Sequence, residues 1–259
     1  MLINKIREAV VLAAGNGSRL ASLNPLPKPL TPVGEIRLLE RVLDGLPAAI
    51  LKVHIVIGYE GDQLRSAVGS RFHGKAIEWI SNPFFHLPNG VSLSLVEGRT
   101  ASPFLLVMSD HLFKEGLLDR FCLQECPSDG GILAIDRKID MVFDLPDAMK
   151  VQLSNERVFT LGKELAEYQA IDTGAFLLSS AVFDAFRESR EENDLSLAGA
   201  IRMLATRGRM ETWDIGSARW IDVDTPESLA EAERLLKAGD LRIGVDECEQ
   251  FCDVTLSTL

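Results

Sequence analysis

Residues 11–20 read VLAAGNGSRL, and PKPL follows at residues 27–30. The glycines at 15 and 17 permit a tight turn whose bare backbone N–H groups can face an anion. Arg19 and Lys28 place two positive charges beside that turn. Pro25, Pro27, Pro29 and Pro32 stiffen the segment carrying Lys28, which limits the entropy lost when its ammonium is positioned. An apolar run, a glycine turn and two nearby cations suit a triphosphate. The turn is not a Walker A loop, because no Gly-Lys-Ser/Thr follows at the required spacing. Nor is it a dinucleotide fingerprint, since Leu20 occupies the place of its third glycine.

Such a loop needs a scaffold, and the apolar patterning supplies one. EAVVLAA, VHIVIGY, AIEWIS, FLLVMSD and GGILAID are near-continuous Val, Ile and Leu runs, the mark of strands buried on both faces. Helical patterns separate them. EIRLLERVLDGL sets Leu38, Leu39, Val42, Leu43 and Leu46 on one stripe, and GDQLRSAVGSRF and KEGLLDRFCLQEC read as further helices. Strands alternating with helices predict βαβ units, with ligands at the carboxyl ends of the strands.

The second half changes character. AMKVQLSNERVFTLG alternates and reads as a hairpin turning at Ser154-Asn155. A strand at YQAIDTGAFLLS precedes helices at Ala181–Phe186 and LSLAGAIRMLA, and METWDIG is the last strand. In the closing helix Thr225 suits the N-cap, Pro226 the first turn and Gly239 the stop. The fold expected is α/β: a Rossmann-like three-layer α/β/α arrangement with a mixed, mainly parallel sheet and a small β-rich acceptor lobe. Residues 1–239 read as one domain, and 240–259 as a weakly patterned tail compatible with a connection to a further domain.

With 259 residues, 46% hydrophobic and 25% charged, the chain can bury a substantial core. A net charge of -11 argues against a nucleic-acid binder, which would present a basic face. No run is apolar enough to span a membrane. The early Lys5 and Arg7 before an apolar run resemble a signal peptide, but the run is short and breaks into the glycine loop, so a buried strand is the better reading. The cysteines, Cys122/Cys126 and Cys248/Cys252, do not have zinc-ribbon spacing and suggest a reducing compartment. A cytoplasmic location is the expectation.

The opening LAAGxGxRL…PKPL pattern, matched at Leu12–Leu20 and Pro27–Leu30, resembles the nucleotidyltransferases that activate sugar and polyol phosphates; Ser18 stands where threonine is common. GYEGDQL, NPFFHLPNGVSLSLVEG, MSDHLF, LGKELAEYQAIDTGAFLLSSAVF and WIDVDTPES look most like the CTP:inositol-1-phosphate cytidylyltransferases, over about Ala9 to Leu236. The resemblance implies that Leu12, Ala13, Ala14, Gly15, Asn16 and Gly17 cradle the nucleotide phosphates, Arg19 neutralises the triphosphate and Lys28 reaches the α-phosphate. It places Asn89, Gly90 and Ser92 near the base and Lys163 at the acceptor phosphate. Lys150 becomes a second cation there, and Asp172, Thr173 and Gly174 line the acceptor pocket.

The resemblance further implies that Asp110, with Ser109 where the family has glycine, and Asp222 hold Mg2+, with Asp224 close by as the alternative to Asp222. Two carboxylates delivered from distant strands suit this oxygen-loving ion. The implied substrates are CTP and a small phosphorylated polyol. A membrane enters only through a fused phosphatidyltransferase, as in some members, and a homodimer is compatible with the sequence. His111 receives no proton-transfer role, because a phosphate nucleophile needs no base. Two other readings are a sugar-1-phosphate or phosphocholine nucleotidyltransferase and a catalytically silent nucleotide-binding domain. Intact Arg19, Lys28, Asp110 and Asp222 argue against silence, and the scarcity of aromatics argues against a choline cage.

Overall fold

The computed structural model describes residues 6–17, 19, 20 and 26–241. Ser18, Pro25, Cys248, Cys252 and all but the first two residues of the 240–259 tail lie outside this range.

In chain order the elements are β1 (Glu8–Ala13), β2 (Pro32–Val33), β3 (Ile36–Arg37), α1 (Leu38–Gly45), β4 (Lys52–Ile57), α2 (Gly61–Val68), β5 (Arg71–Phe72), β6 (Lys75–Ser81) and α3 (Gly90–Ser94). Then come β7 (Phe104–Met108), β8 (His111–Phe113), α4 (Leu117–Phe121), β9 (Gly131–Asp136), β10 (Lys150–Ser154), β11 (Arg157–Gly162) and β12 (Ala170–Leu178). The chain continues through α5 (Ala181–Glu191), α6 (Leu197–Thr206), β13 (Met210–Asp214), β14 (Trp220–Asp222) and α7 (Pro226–Lys237).

Ten strands form one mixed sheet in the order β10-β11-β13-β9-β12-β7-β1-β4-β6-β5. β1, β4, β6 and β7 are parallel to their neighbours among themselves, whereas β12 runs antiparallel to β7 and β9. Both faces are covered. Along β1, Val10 and Leu12 enter one apolar cluster with residues of α3, α5 and α6. Ala9, Val11 and Ala13 enter the other, with residues of α1, α2, α4 and α7. Alternation on a strand buried from both sides thus produces the three layers.

The β-rich part grows out of the same sheet. β12 pairs with β10 through Ala170 and Ile171, then with β7 from Ala175 onward, after an irregularity at which Gly174 takes a positive φ of 77°. Pairings β10–β11, β11–β13, β13–β9, β9–β12 and β12–β10 close on themselves. The hairpin turns at Asn155-Glu156, one residue beyond the expected position, because both residues adopt the left-handed backbone that a tight two-residue turn demands.

Other boundaries differ from the periodic pattern. Ile36 and Arg37 pair with Val33 and Pro32, so α1 starts at Leu38. Gly116 takes a positive φ and α4 stops at Phe121, well short of the helix expected through Cys126. Cys122 is buried in the core, and burial pushes its thiol and that of Cys126 up to about 12. α7 follows the expected capping: the Thr225 hydroxyl accepts from the Ser228 N–H at 3.2 Å, Pro226 opens the first turn, and Gly239 follows the end with φ 71°. Among the described residues, no helix is long and apolar enough to cross a membrane.

Candidate active site

Within the ten-stranded sheet the next strand in sequence after β1 is β4, which pairs on one side of it, while β7 pairs on the other. The chain order therefore reverses at β1, and a crevice opens beyond the strand ends. A cavity of about 670 Å3 lies there, a size suited to small ligands. The β1–β7 register sets Leu12 opposite Met108, and Ser109 N–H donates to the Leu12 carbonyl at 3.1 Å. The glycine turn and Asp110 therefore leave the sheet side by side.

Gly17 has φ 58°, and a Cβ at this position would lie 2.2 Å from Lys28 Cβ. Only glycine lets the loop run this close to the lysine. Lys28 begins a short 3-10 turn over Lys28–Leu30 with prolines on either side, and it is only 7% exposed. Its ammonium donates to Asp110 Oδ2 at 2.5 Å and to Asp224, and stands 3.9 Å from Asp222 Oδ1. One cation thus faces three carboxylates.

Arg19 donates to Asp224 and, at 2.9 Å, to Asp147 Oδ2. The other oxygen of Asp147 accepts from Lys163. Burial opposes ionisation of Asp147, but Lys163 and Arg19 outweigh it and hold the carboxyl below its usual range.

Asp222 reaches the cavity through a pairing that no local pattern announces. β14 runs antiparallel to β8, with Asp222 opposite His111. His111 Nε2 lies 3.5 Å from Asp222 Oδ2, and the ring stands edge-on to Trp220. The imidazole fits only because residue 174 is glycine: a Cβ there would come within 1.9 Å of Nδ1. Burial lowers the tendency of His111 to protonate, but Asp222, then Asp110 and Asp172, more than reverse this and raise its pKa. Burial likewise works against the Asp110 anion, yet Lys28 and His111 hold its carboxyl below the usual range.

Asp110, His111 and Asp222 each offer a ligand atom, and these lie within 4.8 Å of one another. Asp222 Oδ1 is buried with no hydrogen-bond partner, an orphaned acceptor on one of these three residues. Two carboxylates, one of them with an orphaned oxygen, fit a hard divalent cation such as Mg2+. Asp224, by contrast, has one oxygen engaged by Lys28 and the other by Arg19.

Of the residues expected to line an acceptor pocket, Asp172, Gly174 and Lys163 line the cavity. The Asp172 carboxylate accepts from the Gly174 N–H at 2.7 Å. Burial pushes its pKa up to about 6, against the opposing pull of that N–H and of His111. Two expected residues stand elsewhere. Thr173 is fully buried, with its hydroxyl donating to the Ala134 carbonyl at 2.8 Å. Lys150 points its ammonium at backbone carbonyls, those of Lys163 at 2.6 Å and Pro146 at 3.3 Å, and so braces the segment that presents Lys163.

Of the residues expected to meet a nucleotide, Leu12, Ala14, Gly15, Asn16, Gly17, Asn89 and Ser92 line the cavity. Asn89 Oδ1 accepts from the Leu197 N–H and Ser92 Oγ from Asn82 Nδ2, both at 2.9 Å. Ala13 faces the opposite side of the sheet. Gly90 sits where a Cβ would meet the Leu195 carbonyl at 2.6 Å, so it serves the close packing of α3 rather than the cavity. Sequence reasoning gave no role to Asp147 or Arg202, both of which line the cavity. Arg202 donates to the Leu161 carbonyl at 2.8 Å and pairs with Asp194. A charge in a loop or on a helix carries no local signal of such distant partners.

A family profile described as the MobA-like NTP transferase domain matches residues 9–200. A protein of Aquifex aeolicus named "Bifunctional IPC transferase and DIPP synthase" is 30% identical over 233 residues, which cover 89% of this chain and 52% of that protein. One of the same name from Thermococcus kodakarensis is 33% identical over 230 residues, 88% of this chain and 50% of that one. The chain spans about half the length of these curated relatives. Among solved structures, the inositol-1-phosphate CTP transferase from T. maritima superimposes with a TM-score of 0.79 at 26% identity, covering 90% of this chain and 96% of that one.

Proposed function

The chain belongs to the MobA-like NTP transferase family, and we propose that it transfers a cytidylyl group from CTP to inositol 1-phosphate, giving CDP-inositol and pyrophosphate. The observation that carries this reading is a single cavity lined both by the Gly15–Gly17 turn with Arg19 and Lys28 and by Lys163, Asp172 and Gly174. A donor with a triphosphate and an acceptor with one phosphate and several hydroxyls match those two halves. The names of the Aquifex, Thermococcus and T. maritima proteins support the choice of base and acceptor. In this reading residues 1–239 act as the catalytic domain, in the cytoplasm.

The chemistry requires little covalent help from the protein. The acceptor's phosphate oxygen is anionic at neutral pH and attacks the α-phosphorus in line, while pyrophosphate leaves. The glycine turn offers backbone N–H groups to the phosphates, and Arg19 offsets the charge of the leaving pyrophosphate. Lys28, pre-positioned by its prolines, leans on the α-phosphate where negative charge accumulates. Lys163 holds the attacking phosphate in place, so that much of the rate gain comes from alignment. Asp172 accepts hydrogen bonds from ring hydroxyls. Asp110 and Asp222 would hold Mg2+, which when bound adds positive charge against the phosphates. His111 orients Asp222 and moves no proton.

Pyrophosphate release tests this reading, crossing CTP, UTP, GTP and ATP against inositol 1-phosphate, glucose 1-phosphate and phosphocholine with Mg2+ present. Release confined to CTP with inositol 1-phosphate is the expected result. Release with another pair would keep the transferase mechanism and overturn the assignment of base or acceptor. Nucleotide binding without release under any pairing would overturn catalysis altogether.

A further inference from the structure

The two cations assigned to opposite substrates meet on one side chain. Arg19 belongs to the loop after β1, and Lys163 follows β11. Asp147 takes a hydrogen bond from each, one per carboxylate oxygen, Arg19 on Oδ2 at 2.9 Å and Lys163 on Oδ1. All three line the cavity, and their side chains are between about a third and a half exposed. A carboxylate held between these cations occupies the place that a phosphate oxygen would take. It presents the same chemistry, an anionic oxygen pair set between two donors.

We infer that Asp147 is an internal counter-ion that competes with the phosphates of both substrates for Arg19 and Lys163, and thereby sets substrate affinity. The inference rests on the reading of those two cations as phosphate-holding groups. Ion pairs as exposed as these are weak, so the clasp yields to a ligand that brings more charge. Once Arg19 turns to the nucleotide, Asp147 keeps only Lys163. Once Lys163 turns to the acceptor, the carboxylate has no cation left and must draw back from two phosphates. Lys150 donates to the carbonyls of Pro146 and Lys163, so the segment carrying Asp147 stays beside Lys163 when Arg19 leaves.

The test is calorimetric binding of inorganic tripolyphosphate to the full chain, compared among wild type, Asp147→Asn and Asp147→Asn in an Arg19→Ala/Lys163→Ala background. Asparagine keeps the shape of the side chain and discards its charge. Two exposed ion pairs are released from competition, so Asp147→Asn should bind tripolyphosphate roughly two- to thirtyfold more tightly. The gain should vanish when both cations are absent. Equal or weaker binding by Asp147→Asn would overturn the proposal, because it would make Asp147 an aid to the cations rather than a competitor. A gain that survives loss of both cations would overturn it too, as a mere effect of net charge. Wild-type pyrophosphate release from CTP and inositol 1-phosphate, measured alongside, separates the two claims. Tighter binding without wild-type release sinks the assigned reaction alone, and release without tighter binding sinks the role of Asp147 alone.

Discussion

Replacing Gly17 by alanine perturbs the site at one atom whose consequences can be worked through. The residue has φ 58°, a left-handed conformation that costs an L-residue about 1–2 kcal/mol. The added Cβ would stand 2.2 Å from Lys28 Cβ, where ordinary contact begins at 3.4 Å, so the two must separate by about 1 Å. Lys28 cannot yield easily, since prolines flank it and its ammonium is bound to Asp110 and Asp224. Stability should fall by about 1–3 kcal/mol, or roughly 2–4 °C in Tm for each kcal/mol in a chain of this size. Turnover should fall about 100-fold, the usual penalty for misplacing a catalytic group by an ångström. Thermal unfolding followed by circular dichroism and pyrophosphate release measure the two effects. A double-mutant cycle sharpens the reasoning. Lys28→Ala keeps the clashing Cβ, so the stability loss should persist in that background, whereas Lys28→Gly removes the Cβ and should relieve the overlap. A Gly17→Ala protein with wild-type melting and turnover, or one whose losses are the same in the Lys28→Gly background, would refute the argument.

Three further outcomes are expected. Lys28→Met removes the ammonium shared by Asp110 and Asp224, leaving Arg19 on Asp224 alone, so it should lower stability by about 1–3 kcal/mol and make melting far more responsive to millimolar Mg2+ than in wild type; an unchanged response to metal would contradict this. Asp172 titrates at about 6 in the folded chain against 3.8 ordinarily, so the folded state binds that proton more tightly. Stability from this group is therefore lost as pH rises from about 4 to 6, on the order of 2–3 kcal/mol, and Asp172→Asn should flatten that part of the pH–stability curve measured in chelator; an unflattened curve would contradict it. Asp222→Asn should weaken Mn2+ binding, followed by electron paramagnetic resonance, at least tenfold, while Asp224→Asn should change it only a few-fold; the reverse order would make Asp224 the ligand.

The sequence made the start of the site legible because that part is local. The glycines, Arg19 and the proline-flanked Lys28 lie within about twenty residues, and a buried strand ending in a glycine turn is visible as pattern. The core strands were legible for the same reason: a strand buried on both faces must be apolar throughout. What escaped notice is non-local. Arg19 meets Asp147 and Asp224 across 128 and 205 residues, and Asp147 does not differ from a solvated aspartate until the fold is built. The need for glycine at 174 comes from the ring of His111, carried by a different strand. Lys150 and Thr173 show the converse: each has the right chemistry at the right point in the chain, but the backbone carbonyls beside them claim their polar groups. The late start of α4 is a backbone matter, since Gly116 turns left-handed within the otherwise helical pattern.

The central claim is that this cavity moves the α-phosphate of CTP onto an acceptor phosphate. Its most direct test follows the label from CTP carrying a radioactive α-phosphorus, incubated with the full chain, Mg2+ and inositol 1-phosphate. The label should enter a single new phosphoanhydride-linked product with the mass of CDP-inositol, in equal amount to unlabelled pyrophosphate, and only when acceptor is present. Label recovered as CMP, or left in CTP while the nucleotide binds, would contradict it.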